Sequence, residues 1–202
     1  VSAPDATSSP DASAPAAGAR RRVPAAERRE ELIDAAVHEF ARGGLHGTPV
    51  ALIARRVGVA QPYVFALFPT KRDLFLAAVD RGFDRIAATF ERGAAEFRAG
   101  RAPEDCTDVL HAMGRAYTQL LASDRDYLML QHQSYAACDD EAVRARVRHR
   151  YAGLVALAER LSGADCERLD EFIRHGMALN VSAALGVEDL SAGCEWVREE
   201  LR

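Results

Sequence analysis

The sequence predicts an all-α protein in which a three-helix helix-turn-helix unit is joined to a larger C-terminal helical bundle. Three observations predict it. Apolar residues recur at helical spacing in one segment after another, and no stretch alternates as a strand does. Ala is abundant while aromatic residues make up only 7% of the chain, a balance that favours helix. Between residues 48 and 71, two short helical patterns are separated by a tight turn at a single Gly.

At 202 residues the chain can hold one ordinary core, or a small domain fused to a larger one. No apolar stretch reaches the length needed to span a bilayer, and no apolar signal segment opens the chain, so the sequence predicts a cytoplasmic protein. Cys106, Cys138, Cys166 and Cys194 are widely spaced and form no CxxC pair, which fits free thiols in a reducing compartment. The net charge of −4 hides an asymmetry. Residues 20–90 carry 12 basic and 8 acidic side chains, whereas residues 91–202 carry 14 and 20. A basic end on an acidic body suits a protein that presents one end to a polyanion.

Residues 1–24 divide into a stretch rich in Ala, Pro and Ser, which predicts disorder, and the basic run Arg20-Arg21-Arg22. The first helix is predicted from about Ala25 to Arg42. Leu32, Ile33, Ala36, Val37 and Phe40 form its buried stripe, and Gly43-Gly44 ends it. Thr48-Pro49 reads as the next helix start, with the Thr hydroxyl as cap and Pro in the first turn. Val50, Ile53, Ala54 and Val57 give that helix one apolar face, and Gly58 stops it. Another helix starts near Gln61, turns Val64, Leu67 and Phe68 inward, and cannot pass Phe68 because Pro69 follows. These three helices form a head over 25–70, followed by a body over 71–202.

Thr70 caps a long helix whose apolar residues run from Leu74 past Phe90. Lys71, the only lysine of the chain, stands in its first turn, where free N–H groups favour phosphate. Four further helices are predicted over 104–122, 124–137, 139–161 and 165–186, and a last one over 189–201.

The series Ile53-Ala54, Gly58-Val59, Gln61-Pro62-Tyr63-Val64-Phe65, Phe68, Lys71 and Leu74 resembles the TetR family of bacterial transcriptional regulators. The resemblance covers about residues 25–90. It implies a DNA-binding regulator, most often a repressor, that works as a homodimer on a palindromic operator in double-stranded DNA. Gln61 can pair with an adenine edge, Pro62 and Phe65 can meet thymine methyls, and Tyr63 can reach a base or a phosphate. Thr48 and Lys71 would hold phosphates and fix the register. The chain departs from the family at Phe65, often Tyr there, at Leu67, often His or Tyr, and at Ala60, often Ser. The phosphate hydrogen bonds that polar residues supply at those positions fall here to Tyr63 or the arginine arm.

The same resemblance implies a small-molecule pocket in the body. Tyr117, Gln131, His132, Tyr135 and Asn180 are the candidates to line it, and the effector is not specified by the sequence. The resemblance also places dimerisation on the last two helices, where Phe172, Met177, Val181, Leu185 and Trp196 are apolar enough to serve. His111, His132 and His175 lack the i, i+4 spacing of a helical ligand pair, so no metal and no cofactor is expected. With no nucleophile elbow, phosphate loop or evident carboxylate pair, the chain does not read as an enzyme. Two alternatives stay open: a transcriptional activator, and a partner-binding helical protein that keeps the helix-turn-helix as scaffold.

Overall fold

The computed structural model describes residues 24–187. The arginine run at 20–22, the expected helix over 189–201, and with it Trp196 and Cys194, lie outside the described residues. Within them are eight helices and no strand. They are α1 (Ala25–Gly47), α2 (Val50–Val57), α3 (Gln61–Leu67), α4 (Lys71–Arg98), α5 (Val109–Ser123), α6 (Arg125–Ala136), α7 (Glu141–Ser162) and α8 (Cys166–Leu185).

Most helix ends follow from local chemistry. Helix α1 breaks at Gly44, where φ is 61°, and one more turn runs on to Gly47. Gly58 ends α2 in the left-handed conformation that a side chain would resist. Thr70 and Asp73 form a reciprocal capping box on α4. Asp124, Asp140 and Asp165 each cap the helix that follows them. Helix α5 starts later than its sequence pattern suggests. Residues 104–107 are not helical, and Asp108 is the cap, accepting from the His111 N–H at 2.9 Å.

Thr48 is a correction. It does not cap α2, whose preceding residue is Pro49 and which has no side-chain cap. Thr48 is 2% exposed and its hydroxyl donates to the Glu39 carbonyl at 3.2 Å, tying the turn after Gly47 back to α1.

Two apolar cores are threaded by α4. The first joins α1, α2, α3 and the front half of α4 to Leu130, Ala137, Val143 and Val147. Phe40 and Phe75 meet edge-to-face at its centre, with ring centroids 5.0 Å apart. The second core gathers Ile86 and Phe90 of α4 with Met113, Tyr117 and Leu121 of α5, Leu128, Leu157, Leu169 and Leu179. The first core is therefore continuous across residue 70. Ion pairs run alongside it: Arg81 meets Glu30 and Asp34 of α1, and Arg146 and Arg150 of α7 meet Asp80 and Asp84.

Candidate nucleic-acid interface and cavity

The chain bends by 98° between α2 and α3, within the range of helix-turn-helix units. Val64 and Phe68 anchor α3 in the first core, and the Arg29 guanidinium covers the Phe68 ring at 4.8 Å. That anchoring turns the other residues outward. Gln61, Pro62 and Ala66 are exposed, and Tyr63 and Phe65 are each 38% exposed. Two large aromatic side chains thus stand open beside a glutamine on one short helix. Leu67 is half-buried against the core.

Lys71 donates from Nζ to the His46 carbonyl at 2.9 Å, so its ammonium is held between the end of α1 and the start of α4. Partial burial lowers its pKa from the ordinary value. The first turn of α4 is less open to phosphate than its position suggests. The Asp73 N–H and the Thr70 N–H are both taken by the capping box, and the Asp73 carboxylate stands there. Lys71 is therefore the group at that end which can meet a phosphate. With Thr48 buried and bonded to Glu39, its hydroxyl does not offer the phosphate contact expected of it. Arg55, exposed on the last turn of α2 and without an acidic partner among the described residues, is a cation that sequence reasoning passes over.

The body holds an open cavity of about 700 Å³ lined by α4, α5, α6, α7 and α8. Ile86, Phe90, Leu154, Val155, Phe172 and Leu179 supply apolar walls. Three of the five expected pocket residues line it: Tyr117, Gln131 and Asn180. The Tyr117 hydroxyl lies 2.5 Å from Asn180 Oδ1 and 3.1 Å from Gln131 Oε1. Burial is the main reason the phenol is pushed well above its ordinary range. Tyr135 stands behind this group, accepting from Gln131 Nε2 at 2.9 Å. His132 is a correction: its ring turns back to the Leu128 carbonyl at 3.0 Å, the side-chain bond of a helical residue to its own helix, and it does not line the cavity. Among the described residues no cluster of His, Cys, Asp or Glu has the geometry to hold a metal ion.

Residues 32–78 match the model of the bacterial regulatory proteins of the tetR family. Those residues, from within α1 into α4, carry the helix-turn-helix of that family. It is 27% identical to the HTH-type transcriptional activator FasR of Mycolicibacterium smegmatis over 175 residues, 84% of this chain and 77% of that one. It is 34% identical to the HTH-type transcriptional repressor KstR of the same species, but over only 68 residues, 34% of this chain and 33% of that one. A TetR-like regulator from Rhodococcus sp. RHA1 has the same fold, with a TM-score of 0.63, 20% identity, and coverage of 88% of this chain and 95% of that one.

The expected dimer residues divide. Phe172 and Met177 stand at the cavity. Phe172 lines the cavity and meets Phe90 with centroids 5.6 Å apart. Met177 also lines it, with Sδ 3.9 Å from the Tyr135 hydroxyl. Both are half-buried on the face of α8 that lines the cavity. Val181 and Leu185, 54% and 64% exposed, lie on the outer face of α8.

A polar tie that sequence reasoning misses joins head to body. His38 Nδ1 of α1 donates to Asp126 Oδ2 of α6 at 2.6 Å, and Arg42 donates to Asp126 Oδ1 at 3.1 Å. The partner of His38 lies far along the chain. Among the described residues no single helix is long and apolar enough to cross a membrane.

Proposed function

We propose that this regulator is a cytoplasmic homodimeric repressor that reads a palindromic operator and is released from it by a small molecule held in the body cavity. The observation that carries this reading is α3. Its core face is fixed by Val64 and Phe68, while Gln61, Pro62, Tyr63 and Phe65 stand open together on the side a major groove would meet. In the reading, those four side chains address bases, and Lys71 holds a phosphate and sets the register. One such head buries too little surface for selective binding, so two copies act together, their heads spaced by a whole helical turn. Val181 and Leu185, apolar and exposed on α8, support the pairing of two bodies.

Release follows from the position of α6. Gln131 lines the cavity, while Asp126 holds His38 and Arg42, and Leu130 packs in the first core with α1. A ligand that displaces Gln131 shifts the same helix against the head. The regulator then moves between a DNA-competent and an incompetent population, by as much as the ligand prefers one state over the other.

A second reading, a transcriptional activator, is favoured by one observation. FasR, a relative matched over most of the chain, is named an activator, whereas KstR matches over 68 residues.

The test is selection of genomic DNA fragments by the purified protein at two salt concentrations. An enriched palindrome whose binding weakens steeply with salt supports the reading. Weak binding spread evenly over all fragments refutes it and favours a partner-binding role. Replacing Gln61 and Tyr63 together by Ala removes selective binding and leaves thermal unfolding unchanged. A reporter placed behind the enriched site then separates repression from activation.

A further inference from the structure

The polar groups of the cavity are sorted by charge. The charged side chains of its lining, Asp108, Arg115, Arg168, Glu171 and Arg174, are exposed or half-buried. Arg168 is exposed and paired with Asp108, and Arg115 is half-buried and paired with Asp105. The floor carries no charge. Asn180 is 2% exposed, Tyr117 is buried beside it, and Gln131 completes the group.

Hydrogen bonding within that group is incomplete. The Tyr117 phenol has one proton and two carbonyl oxygens within reach, Asn180 Oδ1 at 2.5 Å and Gln131 Oε1 at 3.1 Å. It serves one at a time, and the shorter contact claims it. Gln131 Nε2 is engaged with Tyr135, so Gln131 Oε1 has only the longer, 3.1 Å share of the one phenol proton. Asn180 Nδ2 meets only the Met177 thioether, a weak acceptor, at 3.9 Å. An under-used acceptor on half-buried Gln131 and an under-used donor on Asn180, 2% exposed, thus stand beside the same phenol. A hydroxyl both donates and accepts, and so completes both. A carboxylate only accepts, and between these residues it would set a negative charge against a carbonyl oxygen with no cation among the three, the arginines of the lining being Arg115, Arg168 and Arg174.

We infer that the cavity takes an uncharged, largely apolar molecule bearing a hydroxyl group, an alcohol or a phenol, with that hydroxyl set between Gln131 and Asn180. The inference rests on the effector reading above and names its chemical class. The apolar body of the ligand lies against Phe90, Phe172 and Leu154, and the cavity of about 700 Å³ is in the range that holds a drug-sized molecule.

The test is calorimetric titration of the full chain with two matched sets: 4-phenylphenol, biphenyl-4-carboxylate and biphenyl, then 2-naphthol, 2-naphthoate and naphthalene. The hydroxyl compound of each set binds at least about tenfold tighter than both analogues on the same skeleton, the difference one buried hydrogen bond supplies. Asn180→Leu and Gln131→Leu each bring the three compounds of a set within about threefold of one another, as the removal of that bond requires. Gln131 is half-buried, so Gln131→Leu decides the matter if Asn180→Leu fails to unfold cooperatively. A carboxylate that binds as tightly as the hydroxyl compound, a hydroxyl preference that survives the substitutions, or no binding by any of the six compounds overturns the inference. Retention on the enriched DNA fragment is read in parallel. Hydroxyl compounds that bind as described but leave DNA retention unchanged overturn the effector reading alone. Carboxylates that bind better and release DNA overturn the hydroxyl assignment alone.

Discussion

Gly93, on α4 one turn beyond Phe90, lies directly against the backbone of α5. A Cβ built there would lie 2.8 Å from the Ala112 carbonyl oxygen and 3.0 Å from Met113 Cα. Both neighbours are backbone of another helix, so neither can swing aside, and Gly93→Ala must push the two helices apart. Overpacking of this kind costs about 1–3 kcal/mol. Against it stands the helical preference of Ala over Gly, about 1 kcal/mol in a helix interior. Gly153 of α7 isolates that second effect, because a Cβ there meets nothing within 4 Å. Gly153→Ala is therefore expected to stabilise by about 0.5–1 kcal/mol. Gly93→Ala is expected to fall below it by the whole overpacking cost, about 1–3 kcal/mol. Thermal unfolding of the two variants beside the parent reads this directly, since each kcal/mol moves Tm by about 2–4 °C in a chain of this size. If both variants rise equally in Tm, the α4–α5 spacing is not set by that contact and the reasoning fails. The spacing matters beyond stability, because Phe90 and Tyr117 face the cavity from these two helices.

Three other outcomes are expected. Gly44→Ala places a side chain at φ +61° and a Cβ 2.5 Å from Gln133 Oε1, so urea denaturation should show a loss of about 1–2 kcal/mol; adding Gln133→Ala should relieve the clash but not the backbone strain. Asp108 has its carboxyl held below the ordinary 3.8, first by the bond from the His111 N–H and also by Arg168. Its folded pKa is depressed, so its contribution is present above the unfolded value and lost as pH falls through the folded one. Asp108→Ala should cost about 1 kcal/mol near pH 6, as loss of a helix cap does, and the deficit should shrink toward pH 2.5; a deficit independent of pH would exclude this role. Tyr117 shows the opposite sign: burial raises its pKa from 10.0, so the folded state keeps a proton that the unfolded state has lost. The stabilisation is complete below pH 10 and falls above it, by up to about 1.4 kcal/mol per pH unit. Unfolding of the parent and of Tyr117→Phe from pH 9 to 11.5 should show the difference between them narrowing above pH 10, and a constant difference would refute the assignment.

The helices are legible in the sequence because their signals are local. Gly58 and Pro69 bracket α3 from within a few residues, and Asp124 and Asp140 cap the helices that follow them. The start of α5 is obscured because Glu104, Asp105, Thr107 and Asp108 offer several acidic or capping residues in a row, and only the backbone decides among them. The outward set on α3 is legible for the same reason as its fold, since Val64 and Phe68 leave one open face. Thr48 misleads because a threonine before Pro can cap a helix or bond backward, and the choice depends on how closely α1 returns. Phe172 and Met177 show a different limit. Spacing tells that α8 has apolar residues, not whether a given face meets its own bundle or a second copy. The partnership of His38 with Asp126 joins residues far apart in sequence and carries no pattern that a single chain displays.

The continuity of the first core across residue 70 bears on how such regulators can be recombined. A hybrid joined at that residue would separate Phe40, Ile53 and Val64 from Leu130, Ala137, Val143 and Val147, and would open an apolar face on both halves. The transplantable piece is the head together with the stretch of α4 up to about Phe83 and the strip of α6 and α7 that rests on it. A graft that keeps the recipient's body must carry these packing positions as a set, because the specificity helix travels only with the floor beneath it.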